Sequence, residues 1–178
     1  DYLQLEYVDL LAIHGINNQQ LLDWSLGQNG CMAKAKELQR EGRVRHLGFS
    51  THGTTDIIVK AIESDEFDYI NLHWYFVNDL NWSAIEAATA RDMGVFIISP
   101  NDKGGQLYKP PQKLVDLCRP LHPMAFNDLF CISNPQVQTL SCGASKPSDF
   151  DLHVEAVQNL ENAGRMIQPI LDRILNEV

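Results

Sequence analysis

The sequence predicts an α/β protein built on a parallel sheet, and two observations support this fold class. Apolar runs of strand length alternate with amphipathic segments of helical period along the chain, which is the pattern of βαβ units. The first of these runs is almost continuously apolar, which is typical of a strand covered on both faces by crossover helices. An open doubly wound sheet and the later part of a (β/α)8 barrel both fit this pattern.

The first predicted strand is Tyr7 to Gly15, read YVDLLAIHG, and one histidine stands at its exit. Ligands of α/β sheets lie outside the carboxyl ends of the strands, so His14 is a candidate functional residue. A core histidine with one satisfied ring nitrogen is the alternative, and this stretch alone favours neither. The polar residues 17–30 that follow are expected to form a connection.

The remaining strands are predicted as short apolar runs between helices: Val44 to Ser50, Phe67 to Trp74, Val95 to Ser99 and Val137 to Cys142. Capping residues and apolar spacing place the helices of the first half at Gly30 to Gly42, from Thr54 or Thr55, and at Ser83 to Met93.

A loop from Pro100 to Pro111 separates these elements from the helices of the last third. These helices are predicted at Gln112 to Cys118, after Pro123 with Phe126, Leu129 and Phe130 inward, and at Ser148 to about Leu160. A last helix places one apolar stripe toward a neighbour, formed by Ile167, Ile170, Leu171, Ile174 and Leu175.

Composition argues against several classes of protein. The formal net charge is -9 and the one local basic run, Arg40 to His46, is short, so we expect no nucleic-acid partner. No apolar stretch is long enough to cross a bilayer and no leader precedes the first strand, so we expect a cytoplasmic protein with no membrane partner. We also expect no metal site, because no C-x-x-C pattern links the four cysteines, Cys31, Cys118, Cys131 and Cys142.

Five motifs in chain order carry a resemblance to a known family: IHGINN, GFSTHG, NLHWYF, ISPNDKGGQLY and GASKPSDF. In this order they resemble the later strands of the aldo-keto reductase superfamily. More narrowly, they are similar to bacterial aldo-keto reductase-like oxidoreductases that often carry a ferredoxin-type iron–sulfur segment at the C-terminus. Any one motif alone would be a weak signal, whereas five in order are a strong one.

The resemblance implies a (β/α)8 TIM-type barrel, of which this chain covers roughly strands four to eight with their helices. Residues 1–160 would form this later part of the barrel. Residues 161–178 would form a C-terminal helix that packs on the barrel exterior or on a partner.

The resemblance also implies an NAD(P)-dependent oxidoreductase that transfers hydride between nicotinamide and a small carbonyl or alcohol substrate. His14 matches the family's histidine at the end of the fourth strand, which holds the carbonyl oxygen, and a neutral imidazole with one N–H suffices for that role. His73 and Trp74 stand at the mouth of the third strand present and are expected to line the substrate pocket, with packing in its wall as the alternative.

The family's catalytic aspartate, tyrosine and lysine belong to its first three strands, which this chain does not match. None of the tyrosines stands at the acid tyrosine's place: Tyr2, Tyr7, Tyr69, Tyr75 and Tyr108. A second hypothesis is therefore a truncated or catalytically inactive barrel portion that acts as a nucleotide-binding or assembly module. A barrel cut before its fourth strand exposes parallel edges, so we expect self-association or completion by a missing N-terminal barrel segment.

The resemblance covers the cofactor contacts more fully than the catalytic residues, because the family builds these contacts from its later strands and the loops that follow. Glycines in these loops let backbone N–H groups approach phosphate oxygens. The residues that the resemblance implies for NADP or NAD are Ser50, Thr51, Asn71, Ser99, Lys103, Gly104, Gly105, Leu107, Gly143, Ala144, Ser145, Asp149 and His153.

Three departures from the family pattern bear on the choice between NADP and NAD. Ile98 takes the place of the aromatic residue that stacks on nicotinamide, and His153 replaces an asparagine near adenine. Asp149 falls near the arginine that grips the 2′-phosphate, and a carboxylate there would repel that phosphate. Lys146 compensates only in part, so we expect weak discrimination or a preference for NAD(H).

Overall fold

The computed structural model describes residues 4–102 and 104–177, in which strands and helices alternate as the sequence predicts. The strands are Val8–Ile13 (β1), Val44–Ser50 (β2), Tyr69–Leu72 (β3), Gly94–Ile98 (β4) and Thr139–Ser141 (β5). They form one five-stranded sheet in the order β1-β2-β3-β4-β5. Both β1 with β2 and β2 with β3 pair in parallel, as successive βαβ units require.

Helices fill the connections between the strands and the region after β5. Their bounds are Gln19–Leu26 (α1), Cys31–Arg40 (α2), Thr55–Glu63 (α3), Trp82–Thr89 (α4), Gln112–Cys118 (α5), Pro123–Ile132 (α6), Phe150–Gln158 (α7) and Ala163–Leu175 (α8). The predicted bounds of β2 and α5 are confirmed. The other predicted elements differ from the observed ones mainly at their ends, where capping and fraying decide the last residues.

The connection predicted after β1 contains α1, so the prediction of a polar connection there was incomplete. The side-chain oxygen of Asn18 accepts a hydrogen bond from the N–H of Leu21 at 2.9 Å and so caps the helix. Leu22 is the buried residue of this helix. A helix that buries one residue needs few apolar positions, so the apolar period of α1 is weak in the sequence.

Strand β1 is more exposed than its apolar run predicts. Asp9 and Leu10 are both exposed, and Leu10 keeps 45% of its surface accessible. The prediction of cover on both faces is wrong for these residues, because β1 lies at one edge of the sheet formed by the described residues. An open edge of this kind presents unpaired backbone groups.

The chain divides into two compact units, and the first comprises Asp1–Leu72 and Leu80–Phe96. Its core lies where α3 and α4 contact each other and where β2 pairs with β3. Several large apolar side chains of this core are fully buried, among them Phe49, Ile58, Ile62, Ile70 and Ile85.

The second unit comprises His73–Asp79 and Ile97–Val178. Phe126 and Leu129 of α6 are fully buried here, in one cluster with Ile170 of α8. The predicted stripe of α8 packs against this cluster except at Leu175, which is 70% exposed because it stands in the last turn. Among the described residues, no helix combines the length and the apolar character needed to span a bilayer.

Candidate functional site

Three residues predicted for the site meet at the carboxyl ends of β1, β2 and β3, within the first unit. The register pairs Ile13 with Phe49 and Ser50 with Asn71, and His14 comes directly after β1. One row of polar side chains therefore crosses three neighbouring strand ends. This is the edge at which parallel α/β sheets bind their ligands.

The hydroxyl of Ser50 contacts both the ring of His14 and the backbone of Gly15. Ser50 Oγ lies 2.9 Å from Nδ1 of His14, and it also accepts from the backbone N–H of Gly15 at 3.2 Å. A serine hydroxyl can accept two hydrogen bonds as well as donate one, so Nδ1 of His14 can be either the acceptor or the donor of this bond. We assign the hydroxyl proton to Nδ1 of His14. The imidazole then carries its proton on Nε2, and this exposed side chain can donate that N–H.

The buried hydroxyl of Thr51 links the two loops that follow β1 and β2. It is 1% exposed, and its hydroxyl donates to the carbonyl of Ile16 at 2.7 Å while accepting from the N–H of Gly53 at 2.9 Å. The structure thus gives Thr51 two protein partners in the loops after β1 and β2. Its predicted contact with the cofactor stays a prediction.

The glycine-rich loop predicted to approach phosphate lies in the second unit. Gly104 and Gly105 have φ angles of +76° and +77°, which is the left-handed region that glycine adopts without strain. Gly104 is exposed, and a Cβ built on it would meet nothing within 4 Å. Lys103, the predicted charged residue of this loop, lies outside the described residues.

Backbone hydrogen bonds hold the two ends of this loop. Ser99 donates its N–H to the carbonyl of Ser141 at 3.2 Å, and this bond joins the exit of β4 to β5. Leu107 is 4% exposed and donates its N–H to the carbonyl of Asn101 at 3.1 Å. Leu107 therefore anchors the loop through its side chain as well as its backbone.

The predicted phosphate segment after β5 holds an internal carboxylate. Gly143 and Ala144 are exposed, but the N–H and the hydroxyl of Ser145 both donate to Asp149 Oδ2 at 2.9 Å. The N–H of Lys146 donates to the same oxygen at 3.2 Å. The hydrogen bond from the backbone of Ser145 is the largest cause that lowers the pKa of Asp149 below its ordinary value. Two backbone donors that an anion would use at this turn already serve Asp149.

Behind this segment lies a hydrogen-bonded chain that sequence reasoning missed in part. Tyr108 Oη lies 2.7 Å from the carbonyl oxygen of Gly143 and 2.8 Å from Nε2 of His153. Nδ1 of His153 in turn contacts Asp128 Oδ2 at very short range. Burial raises the pKa of the Asp128 carboxyl, and the hydrogen bond from His153 opposes that shift. His153 was predicted for the adenine site, whereas nothing in the spacing of Tyr108 and Asp128 singled them out.

His73 and Trp74, predicted for the substrate pocket, are both buried in the second unit, at 8% and 4% exposure. Nδ1 of His73 contacts the hydroxyl of Tyr75, which donates to the carbonyl of Ile98. The Trp74 ring packs on Phe130 with 4.7 Å between ring centroids. These contacts favour the packing alternative, and the pocket role stays a prediction.

Comparison of the sequence with known families and curated proteins finds no match. No protein-family model matches the chain, and no curated protein is significantly similar to it in sequence.

Solved structures, in contrast, share its fold. The holo form of the aldo-keto reductase AKR11C1 from Bacillus halodurans is 18% identical, with a TM-score of 0.76, and the match covers 96% of this chain and 60% of that one. The glycerol dehydrogenase AKR11B4 from Gluconobacter oxydans is 17% identical, with a TM-score of 0.67, over 96% of this chain and 60% of that one. An aldo-keto reductase from Klebsiella pneumoniae in complex with NADP and acetate is 16% identical, with a TM-score of 0.66, over 97% of this chain and 60% of that one.

The fold is therefore that of part of a (β/α) barrel. The solved structures that share it are aldo-keto reductases, and the predicted resemblance to that superfamily is confirmed at the level of fold. The chain spans about 60% of the length of these structures.

Proposed function

We propose that this chain forms strands four to eight of the barrel of an NAD(P)-dependent oxidoreductase of the aldo-keto reductase type. The reaction is hydride transfer between nicotinamide and a small carbonyl or alcohol substrate. The observation that carries the proposal is the pair of His14 and Ser50 at the carboxyl ends of two parallel strands, 2.9 Å apart. In a barrel this edge is where substrates bind.

His14 supplies an uncharged hydrogen-bond donor for this chemistry. Hydride addition to a carbonyl leaves negative charge on the oxygen, and a positioned N–H stabilises that charge as it develops. With the hydroxyl of Ser50 assigned as the donor to Nδ1 of His14, the proton of the neutral ring lies on Nε2. The imidazole can then donate without first taking up a proton.

The proposed cofactor is NADP or NAD, and a bound nicotinamide supplies or accepts the hydride. Asn71, in register with Ser50, offers a half-buried amide that fits the nicotinamide carboxamide. The positive φ angles of Gly104 and Gly105 fit a loop that lies against phosphate oxygens. Asp149 fits a 2′-phosphate poorly because it places a carboxylate on the amides of the predicted phosphate segment.

We accordingly propose weak discrimination between the two cofactors or a preference for NAD(H). The test is a fluorescence titration of the 178-residue chain with NADH and with NADPH. Asp149→Ala frees the two backbone donors and removes the negative charge, so NADPH affinity should rise relative to NADH. Asp151→Ala removes an exposed carboxylate from the first turn of α7 and serves as the matched control. Tighter binding of NADPH than of NADH by the unsubstituted chain would reject the preference.

Turnover is tested in a barrel completed by an N-terminal segment that carries the family's aspartate, tyrosine and lysine, with NADH and a panel of aldehydes and ketones. Loss of one positioned donor to a developing oxyanion costs about 10²-fold to 10³-fold in rate, so His14→Ala should lower turnover by that order while nucleotide binding stays unchanged. His52→Ala, at an exposed histidine in the loop after β2, is the control and should keep full turnover.

A nucleotide-binding or assembly module without catalysis is the second candidate. It is favoured by two tyrosines of the first unit, because each ring is engaged in packing with another side chain. Tyr69 is 5% exposed and stacks on Phe96, and burial raises its pKa. The ring of Tyr7 lies 4.1 Å from the guanidinium of Arg45. Nucleotide binding without carbonyl turnover would support this candidate, and absence of both would reject the two together.

The exposed edge of β1 supports a further expectation about partners. We propose that this strand pairs with another barrel segment or with a second copy of the chain, because an open parallel edge leaves backbone groups unpaired. The composition leads us to propose a cytoplasmic location, with no membrane or nucleic-acid partner.

A further inference from the structure

Three side chains with metal-binding atoms come together in the second unit. They are Asp128 on α6, Cys142 directly after β5, and His153 on α7. A carboxylate oxygen, the thiol sulfur and a ring nitrogen all lie within 4.8 Å of one another. Asp128 is 2% exposed, and the other two are half-buried. The three ligand types form the mixed set of oxygen, sulfur and nitrogen that zinc accepts.

The carboxylate of Asp128 has one unsatisfied oxygen among the described residues, which points to a bound cation. Its Oδ2 contacts Nδ1 of His153, but Oδ1 is buried without a hydrogen-bond partner among the described residues. A buried carboxylate oxygen that has lost water and gained no donor is costly to the fold. A bound cation would satisfy this oxygen and neutralise the carboxylate.

Cys142 contributes a thiol beside that carboxylate. Its sulfur lies within 4.8 Å of the ligand atoms of Asp128 and His153. A coordinating thiol gives up its proton to the metal bond, so Cys142 would bind a divalent cation as the thiolate.

The second nitrogen of His153 is held as in known metal sites. Ligating histidines generally use the other ring N–H to donate to a fixed partner, which orients the ring. Nε2 of His153 lies 2.8 Å from Tyr108 Oη, and that hydroxyl can donate to the carbonyl of Gly143 at 2.7 Å. With a metal on Nδ1, Nε2–H of His153 donates to Tyr108 Oη, and the Tyr108 hydroxyl donates to the carbonyl of Gly143. Both hydrogen bonds then have one donor and one acceptor.

We propose that Asp128, Cys142 and His153 bind a Zn²⁺ ion through a carboxylate oxygen, the thiolate and Nδ1. Zinc bonds of about 2.0 Å to nitrogen or oxygen and about 2.3 Å to sulfur place tetrahedral ligands roughly 3.5 Å apart. The three atoms lie within 4.8 Å of one another, so closing on the ion needs only small side-chain movements. The bound ion would tie α6 and α7 to the segment that begins at Cys142.

Cobalt is the probe for this site, because a thiolate bound to Co²⁺ gives a near-ultraviolet charge-transfer band. The 178-residue chain is stripped with a chelator and titrated with Co²⁺, and Zn²⁺ is then added to displace the cobalt. We expect the band to appear at one equivalent and Zn²⁺ to abolish it. Calorimetry gives the affinity for Zn²⁺ itself.

Variants separate this site from other thiols. Cys142→Ser should remove the band, whereas Cys31→Ser, at an exposed cysteine, should keep it. Removal of a partner outside the coordination shell costs about 10-fold to 100-fold in metal affinity, so Tyr108→Phe should weaken Zn²⁺ binding by that factor and keep the band. His153→Gln should weaken binding by at least as much. Circular dichroism identifies any variant that fails to fold.

Two results would overturn the proposal. The first is the absence of a cobalt band in the folded, unsubstituted chain, which would leave Asp128 and His153 as a hydrogen-bonded pair of carboxyl group and imidazole. The second is a band that persists in folded Cys142→Ser. Neither result bears on nucleotide binding, so failure here is distinct from failure of the proposed oxidoreductase function.

Discussion

Ser50 Oγ lies 2.9 Å from Nδ1 of His14, and the same oxygen lies 3.2 Å from the backbone nitrogen of Gly15. The carbonyl of Ser50 also accepts from the N–H groups of Gly15 and Ile16, both at 3.0 Å. One residue at the end of β2 therefore holds both the backbone turn and the ring that follow β1. The orientation of His14 depends on this residue more than on its own exposed surroundings.

The first prediction concerns the proton on this ring. In Ser50→Ala, Nδ1 of His14 loses its hydrogen-bond donor, so the imidazole should change from the single Nε2–H form to a mixture of tautomers. Nitrogen chemical shifts of the ring, measured by NMR at a pH where it is neutral, report the two forms directly. Ser64→Ala is the control, since the hydroxyl of Ser64 donates to Ala61 in α3. An unchanged tautomer in folded Ser50→Ala would refute our assignment.

The second prediction concerns the buried hydroxyl of Thr51. Thr51→Val keeps the shape of the side chain but leaves the carbonyl of Ile16 and the N–H of Gly53 without their partner. Leaving such buried groups unsatisfied costs roughly 1–3 kcal/mol, and we expect this loss in the free energy of unfolding from urea titrations. Thr139→Val, at an exposed site in β5, should change it by less than about 0.5 kcal/mol. Equal effects of the two substitutions would contradict the structural role of Thr51.

The third prediction concerns the close approach of Gly48 and Tyr69. A Cβ on Gly48 would lie 2.4 Å from Cζ of Tyr69, and this ring is buried and stacked on Phe96 at 5.1 Å. Overpacking of this kind costs roughly 1–3 kcal/mol, so Gly48→Ala should destabilise the protein in urea unfolding.

A second-site change tests the cause of that loss. In a Tyr69→Leu background, Gly48→Ala should cost clearly less than in the unsubstituted protein, because the ring it meets is gone. Gly164→Ala in α8 is the control, as a Cβ there meets nothing within 4 Å. An additive double substitution would show that the contact with Tyr69 is not the origin of the effect.

Much of the fold could be predicted because strand and helix signals in this sequence are local. The apolar run of β2 and the proline that precedes α5 define those elements within a few residues, and the structure confirms their bounds. Helix α1 escaped prediction because one cap and one buried leucine define it, and neither produces a strong period. The exposure of β1 follows from its place at the sheet edge, which its apolar run could not reveal.

The candidate site was predictable only where strand ends define it. His14, Ser50 and Asn71 lie in one row because parallel register brings successive strand ends together. The cluster of Asp128, Cys142 and His153 was not predictable, and the cysteine spacing argued against any metal site. Its members come from two helices and a strand end, so only the tertiary structure brings them within 4.8 Å.

The last prediction concerns the pH dependence of the turn before α7. The N–H of Ser145 and the other donors hold the pKa of Asp149 below its ordinary value of 3.8. A lowered folded pKa means that the ionised carboxylate stabilises the fold at every pH above 3.8, and that this stabilisation is lost as the pH falls through the folded value. The difference in unfolding free energy between the unsubstituted protein and Asp149→Asn should therefore be largest near neutrality and shrink below 3.8. Urea titrations over this range measure it, with Asp151→Asn as the control that should change little. A difference that grows on acidification would mean that the charge of Asp149 does not stabilise this turn.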